Sequence, residues 1–289
     1  MNAAQLPTRR DEAWKYSDLR AAVGADAVAL REAPDVIERL APRTDVLSVA
    51  RGEARVVVER LNSETGVEAV AQDWRVAEGA ALVRVVLQTG AAIGLSLARV
   101  ELAAGARLQQ FVLAEGGKLA RVETHIVAGE GAEVELNGVY MCAAGRHADL
   151  TSIITHADPN GATRQLIKGV VRKGGRGVFQ GKIVVAPHAQ KTDARQYHHG
   201  MLLEDGAEIF AKPELMIHAD DVQCAHGNTA GGLDESALFY MRARGVPEAA
   251  ARALLIEAFL LEAVPSDLPA EAREEIEGRI RAWLAEARA

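Results

Sequence analysis

Cys224 and His226 form the single Cys-x-His pair of the chain. Thiolate and imidazole together suit iron, zinc and copper. Two residues apart in an extended segment, they project to the same side. Two ligands do not close a metal site, so His218, Asp220, Asp221 or a partner chain would have to supply the rest. The plainer alternative makes Cys224 a small buried residue and His226 a hydrogen-bonded turn residue. His198-His199 reads as an exposed polar stretch, and Asp193 as a side chain bonded to its own corner backbone. No other chemistry-bearing word is complete. Gly117-Lys118 and Gly181-Lys182 are followed by Leu119 and Ile183, so the hydroxyl that a phosphate loop uses to hold magnesium is absent. Gly-x-Ser-x-Gly, His-Glu-x-x-His and Cys-x-x-Cys do not occur.

The elements that would position the pair follow from the flanking residues. In KPELMIHAD, Leu215, Ile217 and Ala219 share one parity, and Glu214, Met216, His218 and Asp220 share the other. That is the period of a strand with one buried face. Gly227 and Gly231-Gly232 are expected to end the following strand. Asp234 then caps a helix, with Glu235 in its first turn, through Leu238, Phe239 and Met241 to a C′ glycine at Gly245. Pro247 is expected at N1 of a second helix reaching about Ala263, with Ala251, Leu254, Leu255, Ala258, Phe259 and Leu261 on its apolar face. Beyond Pro265 and Pro269, a third helix places Ile276, Ile280, Trp283 and Leu284 on one side. This tail either packs on the end of the sheet or offers a docking face.

Three segments result: 1–45, a short helical segment with helices over Glu12–Leu19 and Ala27–Leu40; 46–233, a β core; and 234–289, a helical domain. In the core, runs such as ARVVVERL, ALVRVVLQ, LSLARVEL and VFQGKIVVA recur between corners such as Gly79-Ala80, Gly105-Ala106 and Gly131-Ala132. Their spacing of roughly 11–16 residues is that of strand-plus-turn units. No helical period interrupts them, which excludes a doubly wound fold. A sandwich, a closed barrel or a solenoid remains, and the rhythm favours a parallel β-helix. GVVRKGGRG then reads as a tight corner. A stack of coils has open ends, and the helical termini are expected to cover them.

Composition narrows the classes. The net charge of −7 gives no broad basic face for nucleic acid. Aromatics at 4% argue against sugar or base platforms. No run of about 18 apolar residues is present, so no membrane span is expected. Cys142 and Cys224 cannot build a disulfide framework, and the opening residues lack the apolar segment of a secretory signal. A cytoplasmic protein is expected.

The words Gly177-Val178-Phe179, Gln190-Lys191-Thr192-Asp193, Lys212-Pro213-Glu214-Leu215, Ala219-Asp220-Asp221-Val222, Cys224-Ala225-His226-Gly227 and Leu238-Phe239-Tyr240 strongly resemble the SufD family, as does Glu12-Ala13-Trp14-Lys15-Tyr16. Members of that family are scaffold subunits of the SUF iron–sulfur cluster machinery. The resemblance implies a mostly β fold: a right-handed parallel β-helix with a short N-terminal helical segment and a C-terminal helical domain. It implies a non-catalytic subunit that pairs with SufB through the β-helix, with ATP hydrolysis in a partner ATPase, SufC. Docking of SufC falls to the helical domain, on Leu238, Phe239, Tyr240, Leu254, Leu255 and Phe259. His226, with Cys224 beside it, matches the family position at the SufB interface, where iron or a cluster is held transiently and shared with SufB. Reduced flavin is implied only for the complex, and a homodimer is compatible with the isolated chain. A β-helix enzyme acting on polysaccharide and a purely structural homo-oligomer are the rivals from other classes.

Overall fold

The structure, a computed structural model, describes residues 5–24 and 28–286. Fourteen strands alternate between two sheets. One is built from β1 (Thr44–Val49), β3 (Val67–Val76), β5 (Ile93–Leu102), β7 (Leu119–Ala128), β9 (His147–His156), β11 (Arg176–Val185) and β13 (Glu208–Ile217). The other holds β2 (Ala54–Leu61), β4 (Ala81–Gln88), β6 (Arg107–Ala114), β8 (Glu133–Cys142), β10 (Ala162–Val171), β12 (Asp193–Leu202) and β14 (Gln223–Gly231). Every pairing within them is parallel. Each coil thus gives one strand to each sheet, and seven coils stack into a parallel β-helix.

The glycine-alanine corners show why this sequence coils. Gly79, Gly105 and Gly131 take φ of 66°, 62° and 61°, a left-handed turn that costs glycine nothing. Ala80, Ala106 and Ala132 follow, each at most 1% exposed, and fill the lumen where a larger side chain would not fit. Asn160 and Lys191 take the same left-handed conformation at later corners. Gly174 marks the GVVRKGGRG corner, with φ of 73°.

The lumen is not wholly apolar. Arg84 is fully buried and donates to Glu59 Oε2, Gln110 Oε1 and Ser96 Oγ, each at 2.8 Å. Further along, Gln165 donates to Ser152 Oγ at 2.9 Å and Gln196 to the Gly181 carbonyl at 3.2 Å.

Helices cover the flat faces of the solenoid, contrary to the expectation that they close its ends. Leu6, Trp14, Leu19, Val23 and Ile37 pack on Ala69, Ile93, Leu95, Leu97 and Leu119, on the outer face of the first sheet. On the second sheet, α4 (Glu248–Leu261) and α5 (Ala270–Glu286) bury Ile256, Leu260, Ile276, Ile280 and Trp283 against Val85, Leu87, Phe111, Leu113 and Val139. The reason lies in the strands. Both faces carry apolar outward residues, and covering a whole sheet removes more apolar surface from water than covering one coil end. The N-terminal segment is also less helical than its pattern suggested. Its helices include a 3-10 turn at Glu12–Trp14, α1 (Leu19–Val23) and α2 (Val36–Leu40), and Ala27 lies outside the described residues. Pro34 disfavours helix in the residue before it, and Asp35 caps α2 through Ile37 N.

At the first coil, β1 pairs only with β3 and β2 only with β4, and Arg55 lies over the Trp74 ring at 5.5 Å and donates to the Ser48 carbonyl at 3.0 Å. At the seventh coil, β13 pairs only with β11 and β14 only with β12. Their outer edges carry unpaired backbone groups over Glu208–Ile217 and Gln223–Gly231.

Candidate functional site

Cys224 and His226 lie on β14, the last strand of its sheet. Their register partners on β12 are Ala194 and Gln196, both fully buried in the lumen. Register partners in a parallel ladder face the same way, so Cys224, His226 and Asn228 form the inward row of the open coil. Cys224 is half-buried against the luminal cluster, and desolvation pushes its thiol up, away from ready thiolate formation. His226 and Asn228 are exposed because no eighth coil covers them. Leu215 and Ile217 keep the inward parity expected of them, yet Ile217 is 42% exposed for the same reason.

Gly227 does not end the strand. β14 runs through it to Gly231, since the ladder to β12 stays in register and Tyr197 packs over the glycine. Of the helper ligands, Asp221 instead pairs with Lys191. Among the described residues no group of three His, Cys, Asp or Glu side chains could hold a metal.

Two polar residues are placed differently from the expectation. His198 is fully buried, because residues 194, 196 and 198 share the inward parity of β12. Its ring stacks between Phe179, with centroids 5.1 Å apart, and Tyr140, at 5.9 Å. Asp193 pairs with Arg164 and Arg195, and the corner bond is made by Thr192 Oγ1 to the Ala189 carbonyl at 2.8 Å. His199 does sit near the surface, bonded to Thr229 at 2.7 Å.

The word Glu12-Ala13-Trp14-Lys15-Tyr16 straps the N-terminal segment across the sheet toward the open coil. Glu12 pairs with Lys212 at 2.5 Å, and Tyr16 stacks on Phe210 with centroids 5.3 Å apart. Beneath it, Arg121 is buried under Trp14 at 4.2 Å and bonds the Ala13 carbonyl, Glu123 and Asp149. Ser17 donates to Asp149 at 2.5 Å and lies 3.1 Å from His147 Nε2. This Ser/His/Asp grouping is no nucleophile: Ser17 is fully buried and its proton is given to the aspartate.

In the tail, Asp234 caps α3 (Glu235–Ala243), which closes at Gly245 with φ of 86°. Pro247 sits one position before the helix it was expected to start, as the N-cap of α4. Of the proposed docking residues, Phe239, Tyr240 and Leu254 are 73%, 60% and 51% exposed. Leu255 is half-buried, Leu238 is buried, and Phe259 packs inward beneath Lys168.

Burial sets a pH limit on the fold. It pushes His147, His156 and His198 each down to about 4 from an ordinary value of 6.5. These rings are neutral in the folded chain, while the unfolded chain protonates first as pH falls. Their contribution is therefore complete above about 6.5 and is lost as pH drops toward 4, by at most about 1.4 kcal/mol per pH unit for each ring. Urea midpoints measured from pH 7.5 to 5 are expected to fall steeply with unchanged m-values. A flat midpoint would show that these rings are solvated.

The fold and site define a class: a parallel β-solenoid with helices packed on both sheets, whose last coil carries Cys224 and His226 in its inward row. The family model "SUF system FeS cluster assembly, SufBD core domain" matches residues 33–259, and the chain belongs to that family. It is 37% identical to the E. coli iron–sulfur cluster assembly protein SufD over 148 residues, 51% of this chain and 35% of that protein. It is 37% identical to the Arabidopsis thaliana chloroplastic protein ABCI7 over 171 residues, 58% of this chain and 36% of that protein. With a Synechocystis SufBD family protein it shares 38% over 154 residues, 52% and 34% of the two chains. The matches thus span about a third of each relative's length.

Proposed function

We propose that this protein is a non-catalytic scaffold subunit for iron–sulfur cluster assembly, working as SufD does. The observation that carries this is the open seventh coil, where two unpaired strand edges surround Cys224 and His226. Unpaired edges of this length call for another strand pair. A SufB-type subunit stacking its own terminal coil there continues both sheets and brings the missing ligands. Iron or a nascent cluster is then a shared and transient cargo of the seam. Reduced flavin is assigned to the assembled complex and not to this chain alone. When the chain is isolated, two copies can pair through the same edge.

The helical tail docks the SufC-type ATPase, supported by the exposure of the large apolar side chains Phe239, Tyr240 and Leu254 on α3 and α4. No described helix is long and apolar enough to cross a membrane, and a reducing cytoplasm suits free thiols and cluster chemistry.

Affinity capture of the chain from its native cells, with partners identified by mass, tests both contacts. SufB-type and SufC-type subunits are expected in the eluate. The double variant Phe239→Ser, Leu254→Ser is expected to retain the former and lose the latter, since a buried aromatic or aliphatic anchor contributes on the order of 1–3 kcal/mol. Recovery of neither partner from cells expressing both would overturn the assignment.

A further inference from the structure

The inward row of the open coil contains one side chain whose orientation is set from deep inside the solenoid. Tyr140 Oη lies 2.8 Å from His198 Nε2, and His198 Nδ1 lies 2.6 Å from Asn228 Oδ1. The chain of bonds begins in a fully buried tyrosine on β8 and ends at an exposed asparagine on the terminal strand.

The side-chain oxygen of Asn228 is the atom placed against the ring, and the donor and acceptor roles along the chain follow from that placement. Asn228 Oδ1 can only accept, so Nδ1 of His198 carries a proton. Burial holds that imidazole neutral, with its pKa pushed down to about 4, so Nε2 is bare and accepts from the Tyr140 hydroxyl. The histidine ring lies nearly parallel to Phe179, at 7°, and to Tyr140, at 12°. Tyr140 is packed closely against the backbone at Gly169 and Gly177. With Oδ1 committed inward, the planar amide of Asn228 turns its NH₂ group away from His198, two residues along β14 from His226.

We infer that Asn228 is a pre-oriented amide donor of the open end, which accepts only a partner coil presenting an acceptor oxygen, carbonyl or carboxylate, in its inward row. Tyr140 and His198 act as positioning residues for that donor. This rests on the proposed stacking of a SufB-type subunit and adds which polar group the seam reads. An amide whose orientation is already settled loses little entropy when it binds, and an unmatched polar group at a closed seam is penalised.

The test has two arms. Nitrogen-15 NMR of the histidine-labelled chain is expected to show His198 as the neutral Nδ1–H tautomer down to pH 5, and the Nε2–H tautomer would overturn the inference without any partner present. Titration calorimetry with the SufB-type subunit then compares the wild type with Asn228→Asp and His198→Phe. Asn228→Asp keeps the acceptor for His198 and replaces the donor with a carboxylate oxygen. It is expected to raise Kd at least tenfold with an unchanged melting temperature. His198→Phe keeps the stack and frees the amide, and is expected to weaken binding severalfold. A wild type that binds while Asn228→Asp binds equally well overturns this inference alone. A wild type that does not bind overturns the stacking and the inference with it.

Discussion

Replacing His226 with alanine is expected to leave folding and complex formation intact and to abolish cluster formation by the reconstituted complex. The physical case begins with position. His226 is exposed on the terminal strand, and the ladder from β14 to β12 is made by backbone groups that alanine preserves. An exposed substitution of this kind costs within about 0.5 kcal/mol. The chemistry, by contrast, has few substitutes in this chain. Among the described residues no cluster of three ligating side chains exists, so under the proposed assignment losing His226 leaves only the half-buried Cys224 to add to the partner's groups. Cys224→Ser is expected to act more mildly, since that thiol is half-buried and its deprotonation is disfavoured. The readout is the visible absorption of the cluster after supplying iron and sulfide to the complex. Full absorption from the alanine variant would remove His226 from the site.

The second large effect is structural. Gly169→Ala is expected to destabilise the chain by about 3 kcal/mol or more, the upper range for overpacking a rigid core. A methyl group at this position would sit 1.8 Å from Cζ of Tyr140 and 2.0 Å from Cε2, deep inside the ring's van der Waals surface. The ring has no escape on the opposite wall, where a methyl group on Gly177 would meet it at 2.1 Å. Glycine is present here for space. Urea unfolding measures the loss. In a double-mutant cycle with Tyr140→Ala, the two losses are expected to fall short of additive by about 2 kcal/mol, the coupling of touching sites. A loss below about 1 kcal/mol would mean that the lumen relaxes more readily than its packing indicates.

The same lumen explains where reading the chain by eye succeeds and fails. A repeating strand-and-corner rhythm with Gly-Ala corners is a local property: the left-handed turn and the small inward alanine are each decided within three or four residues. The β-helix and the caps at Asp234 and Gly245 were therefore legible. So was the pairing of Cys224 with His226 on one side of a strand, since side-chain parity depends only on spacing.

What depended on coil-to-coil register was not legible. His198 lies in a polar word, QYHHG, that looks solvent-facing. Only the alignment of β12 with β10 and β14 shows that its parity points inward, and only the third dimension brings Tyr140, 58 residues away, to its ring. Asp193 lost its expected corner role because Arg164 stands beside it on the neighbouring coil. Gly227 stayed in its strand because register energy over nine paired residues outweighs the local preference of one glycine. The placement of the helices was likewise a tertiary decision. Amphipathic periodicity shows that a helix must bury a face, but whether it caps an end or covers a sheet depends on which apolar surface is larger. Here the sheets were larger, and so the seventh coil stays open with Cys224, His226 and Asn228 in its inward row.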